Sequence, residues 1–372
     1  MKIVTLFESL KIGGGVEKVQ ATIGTGLFEQ GHEVIYLVMQ DKVPRNEYKG
    51  TIVSLDEPFI FGFGVNKIFS LFRIGKRVAK FCKNEKVDVI LGQGDFFYMV
   101  VAVSKWINGN PAKCVGVVHT TISIWSGFIK QVLIFLLKKL DHIVLISKAE
   151  QQTFIQEYGF PEEKCTIIYN SIDEKEINTK KDIPLSEEYQ SLFQEGKYTF
   201  INIGRLTYQK NQSLLLRAFE MVHKKHPNTQ LIILGGGELQ KDLEKEKESL
   251  SSSLDIHLLG NQTNIYHFLK VSDCFVLSSR FEGFPMVLIE VAMLGGIPVV
   301  STDCPTGPNE LIPIEYLSSI NIPELLAENM SRIITDSIYQ TRSISVLQEK
   351  RDLFLSGAIK GRWDHLVETL SS

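Results

Sequence analysis

Residues 278–311, SSRFEGFPMVLIEVAMLGGIPVVSTDCPTGPNEL, place two carboxylates, Glu282 and Glu290, around a Gly-Phe-Pro turn with seven residues between them. A strand-like apolar run, DCFVLSS (273–279), precedes them and a helical pattern follows. A helix starting near Pro285, a favoured first helical position, leaves amides from Phe284, Met286 and Val287 pointing out of its N-terminus toward any bound anion. The run therefore predicts a phosphate site, formed over Gly283 to Val287. Glu282 on the loop and Glu290 in the helix could then hold hydroxyls at opposite ends of a ligand, one on a sugar and one on a ribose. Taken alone, the two acids read equally well as a solvated loop acid and a helix-surface acid.

A second stretch, FINIGRLTYQKNQSLLLRAF (200–219), carries Gly204, Arg205 and Lys210 on a loop between a strand and an amphipathic helix. Two cations five residues apart suit a diphosphate, because Arg grips two oxygens while Lys supplies a compact charge. As an isolated pair they are more often ordinary surface bases. Near the start, Gly13-Gly14-Gly15 follows a short β-branched and aromatic strand, and glycines let backbone amides approach a ligand closely. The dinucleotide fingerprint GxGxxG is absent, since Glu17 and Lys18 occupy the following positions.

The elements that must position these residues form an alternating series. Strand runs at 3–7, 32–38, 87–93, 113–119, 141–147 and 165–170 are separated by helical stretches or loops. A second series occupies 198–204, 229–237, 255–260, 273–279 and 297–302. Such alternation predicts parallel sheets in two doubly wound α/β domains. The polar stretch 171–190, SIDEKEINTKKDIPLSEEYQ, reads as the linker. Ser343–Leu370 is helical in pattern with a break at 356–358.

Composition bounds the function. The 372 residues carry 40 Lys and Arg against 43 Asp and Glu, a formal charge of −3, which argues against nucleic-acid binding. The five cysteines (Cys82, Cys114, Cys165, Cys274, Cys304) are scattered and never form CxxC, so neither a disulfide framework nor a zinc site is suggested, and a reducing, cytoplasmic setting fits. The apolar run before Glu8 is too short for a signal peptide. No stretch reaches the roughly 20 apolar residues of a spanning helix.

Taken in order, GGGVEKV, GRLTYQKN, LGGGEL (234–239), the Glu282–Glu290 run and GGIPVVSTDCPTGPNEL resemble glycosyltransferase family 4, of bacterial surface-glycan type, over nearly the whole chain. The resemblance implies the GT-B architecture: two facing Rossmann-like domains, an acceptor-binding one over 1–175 and a nucleotide-sugar-binding one over 176–350, with a C-terminal helix in 351–372 packing back on the first. It implies that Arg205 and Lys210 contact the donor diphosphate and stabilise the departing phosphate. It assigns Glu290 to the donor ribose, Glu282 to the donor sugar hydroxyls, and Gly14 and Gly15 to a loop over the donor phosphate. His119, ending the strand KCVGVVH, matches a histidine at the donor sugar; a lone histidine is otherwise more often a core residue. Asn170, in YNSID, departs from the commoner Asn-Gly-Val form.

The chemistry implied is transfer of a hexose or N-acetylhexosamine from a nucleotide sugar with retained anomeric configuration. The phrase DCPTGPNEL resembles members that use UDP-hexoses. No DxD motif occurs, in keeping with a metal-independent reaction needing no cofactor. Residues 66–83, NKIFSLFRIGKRVAKFCK, form a basic amphipathic helix suited to an anionic membrane face, or equally a packed helix with a solvated basic side. GFIKQVLIFLLKKL (127–140) is apolar almost all round, which favours burial. A lipid-linked saccharide acceptor and a peripheral position on the cytoplasmic membrane are the corresponding expectations. Two alternatives stand beside this one: a non-catalytic homologue acting as a partner subunit or nucleotide-sugar binder, and a nicotinamide dehydrogenase, which the missing fingerprint disfavours.

Overall fold

Short runs of Val, Ile and Leu form strands with both faces covered, the pattern of parallel sheets flanked by helices. In a computed structural model that describes residues 1–10, 15–41, 47–57, 65–119, 121–122, 127–172, 174–193 and 196–371, these strands build two sheets, each in its own compact unit. One unit is Met1–Ser171 with Ser356–Ser372, the other Ile172–Leu355.

The first unit runs β1 (Lys2–Phe7), α1 (Gly15–Glu29), β2 (Glu33–Val38), β3 (Thr51–Ser54), α2 (Val65–Glu85), β4 (Val89–Gln93), α3 (Asp95–Trp106), β5 (Lys113–Val118), α4 (Gly127–Leu137), β6 (His142–Leu145), α5 (Lys148–Gln156) and β7 (Cys165–Ile167). Its sheet order is β3-β2-β1-β4-β5-β6-β7, every pair parallel, with Ile3 opposite both Val34 and Val89. The second unit runs α6 (Glu174–Lys180), α7 (Glu187–Gln190), β8 (Tyr198–Ile203), α8 (Gln212–Lys225), β9 (Thr229–Leu234), α9 (Gln240–Glu248), β10 (Ile256–Leu258), α10 (Tyr266–Lys270), β11 (Cys274–Leu277), α11 (Met286–Leu294), β12 (Val299–Thr302), α12 (Pro308–Leu311), β13 (Leu317–Ser318), α13 (Pro323–Thr335) and α14 (Ser337–Glu349). Its parallel order is β10-β9-β8-β11-β12-β13. Each unit is a Rossmann-like, doubly wound domain.

The last helix, α15 (Ser356–Ser371), belongs to the first unit and packs on α1. Trp363 and Val367 are its buried anchors. His32 Nε2 lies 2.7 Å from Asp364 Oδ1, and Glu29 receives both Lys360 (2.6 Å) and Lys49 (2.7 Å). Those two lysines draw the Glu29 carboxyl down to about 2.

Four features differ from the sequence reading. Residues 171–190 are not an open linker: Ile177 and Leu185 are buried, and Lys270 pairs with Asp182 at 2.6 Å, tying the stretch to the second unit. The helix break falls at 350–355, and Ser356 and Gly357 instead open α15. Strands β3 and β13 escape the reading because one is half exposed at a sheet edge and the other has only two residues. Finally, α4 is not buried all round: Phe128 is 82% exposed and Phe135 is exposed against Trp106, while Leu133, Ile134, Leu136 and Leu137 face inward. All five cysteines are free and buried.

Truncating a fully buried aromatic costs about 3–5 kcal/mol. Trp363→Ala should therefore shift the urea unfolding transition of the first unit to lower denaturant while leaving that of the second in place.

Candidate functional site

In the second unit the chain winds from β8 outward through β9 and β10, then returns to the other side of β8 as β11. The loops leaving β8 and β11 therefore diverge, and a crevice opens at the carboxyl ends of these two strands. The β8 loop carries Gly204, Arg205 and Lys210; the β11 loop carries Glu282 to Pro285.

The β8 loop is shaped by a tight turn in which the amides of Lys210 and Asn211 both donate to Thr207 O, at 3.1 and 3.2 Å. Asn211 takes a left-handed φ of 52° ahead of α8, a conformation that asparagine tolerates. The loop lies directly on 235–237. A Cβ on Gly235 would sit 2.0 Å from Gly204 O, and one on Gly237 2.3 Å from Leu206 O. The glycines of LGGGEL are thus required by contact with GRL, through which Leu206 N also donates to Gly236 O at 3.0 Å.

The Lys210 stem crosses bare Gly204, where a Cβ would meet Lys210 Cδ and Cε at 3.3 Å. Its Nζ stands 2.7 Å from Glu282 Oε1, with the two side chains 17% and 6% exposed. Ser279 Oγ donates to the same carboxylate oxygen at 2.5 Å, and Gln209 Nε2 reaches Oε2 at 3.5 Å. Lys210 and Glu282, assigned separately to phosphate and sugar from sequence, are one partly buried ion pair. Arg205 is exposed, and its guanidinium takes no partner among the described residues.

Glu282 leads into α11. Pro285 is the cap of this helix (φ −76°, ψ 95°) and not its first residue, a correction to the sequence reading. The proline ring is held against Gly307, where a Cβ would lie 2.4 Å from Pro285 Cδ, and Thr306 Oγ1 donates to Glu282 O. The CPTGPNEL segment therefore backs the turn. Leu288 N donates to Pro285 O at 3.0 Å, while the amides of Gly283, Met286 and Val287 take no acceptor among the described residues. Phe284 is buried, 5.5 Å from the Phe354 ring. Glu290, half-buried and four residues beyond Met286, accepts from Tyr266 OH at 3.3 Å. Cation, ion pair and unpaired amides together can hold a diphosphate.

In the first unit the order reverses between β1 and β4, and Gln93 ends β4. His119, just beyond β5, is buried with Nε2 2.8 Å from Gln93 Oε1. Gln93 Nε2 donates onward to Thr5 Oγ1 at 3.4 Å, and with the amide in this orientation its Oε1 faces His119 Nε2. Burial pulls the imidazole down to about 4. His119 is therefore a neutral hydrogen-bonding group. Gly14 lies outside the described residues, and Gly15 opens α1. Among the described residues no group of three or more His, Cys, Asp and Glu could hold a metal ion.

Sequence reasoning missed Ser279, Gln209, Gln93 and Tyr266. Gln209, inside TYQKN, and Ser279, inside SSRFEG and three residues before Glu282, carried a positional signal; Gln93 and Tyr266 join their partners through tertiary pairing.

Residues 13–176 match the family model described as Glycosyltransferase Family 4, and residues 186–346 the one described as Glycosyl transferases group 1. The chain is 36% identical over 299 residues, 71% of each chain, to an uncharacterized glycosyltransferase of Methanocaldococcus jannaschii. It is 29% identical over 310 residues, 80% of each chain, to the N-acetylgalactosamine-N,N'-diacetylbacillosaminyl-diphospho-undecaprenol 4-alpha-N-acetylgalactosaminyltransferase of Campylobacter jejuni. Its fold matches that of Anabaena HepE, solved with UDP and glucose, at a TM-score of 0.78 and 21% identity, covering 100% of this chain and 99% of that one.

An unfolded histidine titrates near 6.5, so between pH 6.5 and 4 the unfolded chain binds a proton that folded His119 does not. This contribution is intact above pH 6.5 and is lost as pH falls. From pH 7.5 to 5 the native protein should lose about 2 kcal/mol more stability than His119→Gln, read by urea denaturation at the two pH values; equal losses would place the titration elsewhere.

Proposed function

The chain belongs to the glycosyltransferases, with a Family 4 N-terminal half and a group 1 C-terminal half, and from that premise we propose that it moves a hexose or N-acetylhexosamine from a UDP-sugar to a lipid-linked saccharide with retention of configuration. It is an enzyme of glycan biosynthesis. The observation that carries the donor reading is that the β8 loop brings an exposed Arg205, its guanidinium without a partner among the described residues, together with the Lys210–Glu282 pair, and that the amides opening α11 take no acceptor among those residues. With Lys210 matched by Glu282, it is Arg205 and these amides that offer charge and hydrogen bonds to an anion.

In this reading the bond between sugar C1 and the phosphate oxygen breaks with its electrons passing to the phosphate. The acceptor hydroxyl oxygen bonds C1 on the same face, and its proton leaves with the nucleoside diphosphate. Charge grows on the phosphate, and groups already aimed there stabilise the transition state without reorganising. Arg205, Lys210 and the amides of Met286 and Val287 serve that role, each cation contributing about 3–4 kcal/mol by analogy with an oxyanion donor. No metal or cofactor enters. Glu282, fixed by Lys210 and Ser279, orients a sugar hydroxyl; Glu290 takes the ribose, and neutral His119 hydrogen-bonds the donor sugar. The UDP of HepE and the diphospho-undecaprenol in the name of the Campylobacter relative support the donor and acceptor classes.

The same relative supports a membrane position. On α2, Phe69 (69% exposed), Phe72, Lys76, Lys80 and Lys83 share the outward side, and Arg73 and Arg77 reach Glu57 at 2.6 and 2.5 Å. Aromatic and basic side chains on one helix face suit an anionic bilayer surface, each base contributing about 1 kcal/mol.

Two measurements test the proposal. UDP at about 100 times its dissociation constant adds about 2.7 kcal/mol to stability, so UDP should raise the melting temperature, and Arg205→Ala and Lys210→Ala should shrink that rise. Lys210→Ala also strands a buried carboxylate at a cost of about 3–5 kcal/mol, so its shift is read from its own baseline. No response to UDP, GDP, ADP or CMP would favour a non-catalytic homologue. Separately, the protein should float with phosphatidylglycerol vesicles in a salt-sensitive way, and neutralising Arg73, Lys76, Arg77 and Lys80 together should abolish it; unchanged flotation would remove α2 from the contact.

A further inference from the structure

The loop that carries Lys210 has a second attachment, on its outer side. Arg280, two residues before Glu282, donates its backbone amide to Gln209 O at 2.8 Å. Its guanidinium lies over the Tyr208 ring, 4.6 Å from the centroid, and Nη1 donates to Asn321 Oδ1 at 3.0 Å. Gln209 Nε2 returns a bond to Phe281 O at 3.0 Å, and Ser278 Oγ donates to Lys210 O at 2.8 Å. Three consecutive residues of one loop are thus each held by the other. Tyr208 is 66% exposed, so the stack is not a product of core packing. Arg280 Nε is buried with no acceptor among the described residues, a cost that the cation–π contact and the Asn321 bond must offset.

We infer that Arg280 is a positioning residue: clamped on Tyr208 and Asn321, it fixes the 208–210 segment so that Lys210 meets both Glu282 and the donor diphosphate. The inference rests on the donor-site reading of Lys210. Arg280 makes no contact with the ligand itself. Its contribution runs through the lysine, whose stem spans Gly204 and whose ammonium has one correct location, and misplacing such a group by about 1 Å can cost on the order of a hundredfold.

A double-mutant cycle on UDP affinity, measured by isothermal titration calorimetry, separates the possibilities. Arg280→Ala should weaken UDP about tenfold in the native background and less than about twofold in a Lys210→Ala background. Tyr208→Ala, at an exposed position that does not threaten folding, should reproduce the loss, and Tyr208→Phe, which keeps the ring, should restore native affinity. An equal loss from Arg280→Ala in both backgrounds would mean that the guanidinium binds the nucleotide directly, and native affinity in both Arg280→Ala and Tyr208→Ala would mean that the clamp is idle. Either result overturns the inference. If Lys210→Ala alone leaves UDP affinity unchanged, the donor-site reading of Lys210 fails first, and this inference fails with it.

Discussion

The Lys210–Glu282 ion pair is the constraint on which the second unit's crevice depends. Removing an ammonium and a carboxylate from water costs several kcal/mol per ion, and their attraction repays this only with good geometry and further hydrogen bonds. That requirement explains features otherwise unrelated in sequence. Gly204 is bare so that the lysine stem can cross it, and Gly235 and Gly237 are bare so that the β8 loop can lie against them. Ser279 satisfies a carboxylate oxygen, and Thr306 anchors the Glu282 carbonyl. Four chain segments converge on one partly buried ion pair that must be correctly placed.

A partly buried pair of this kind also sets what the neighbouring groups can do. With the lysine's charge largely matched by Glu282, the net positive field at the crevice falls to Arg205 and the unpaired amides that open α11. Those amides are free because the first turn of a helix has no preceding helical carbonyls to bond, and Pro285, which caps α11, is packed against Gly307. Donors fixed by the fold in this way need no reorganisation to meet an anion.

The two units solve the same topological problem with different chemistry. Each sheet reverses its strand order once, and each places polar groups at the carboxyl ends of the strands beside the reversal. In the second unit these are charges. In the first they form a neutral relay, Thr5–Gln93–His119, in which burial keeps the imidazole uncharged. A neutral histidine can offer a hydrogen bond without adding a cation, and a charged one at that depth would carry the desolvation cost unpaired.

Periodicity and composition alone determined the alternation of strand and helix and the two doubly wound halves, because parallel strands buried on both faces read as apolar runs; that Arg205, Lys210, Glu282 and Glu290 belong to one site was implied by the resemblance of their motifs to a known family, since as isolated residues they read equally as surface charges. The edge strands β3 and β13 were not legible: a half-exposed or two-residue strand has no periodicity to read. The polar stretch 171–190 looked like a linker because Ile177 and Leu185 are too sparse to register as a core until α10 and α11 supply the other side. The exposed aromatics of α4 were illegible for the opposite reason, since an all-apolar sequence does not say which side meets water. Only the tertiary structure decided that Lys210 pairs with Glu282, that His119 is held by Gln93, and that Arg280 clamps Tyr208. Each joins residues from separate strands, and strand order in a parallel sheet is set by long-range packing that leaves no local trace in the chain.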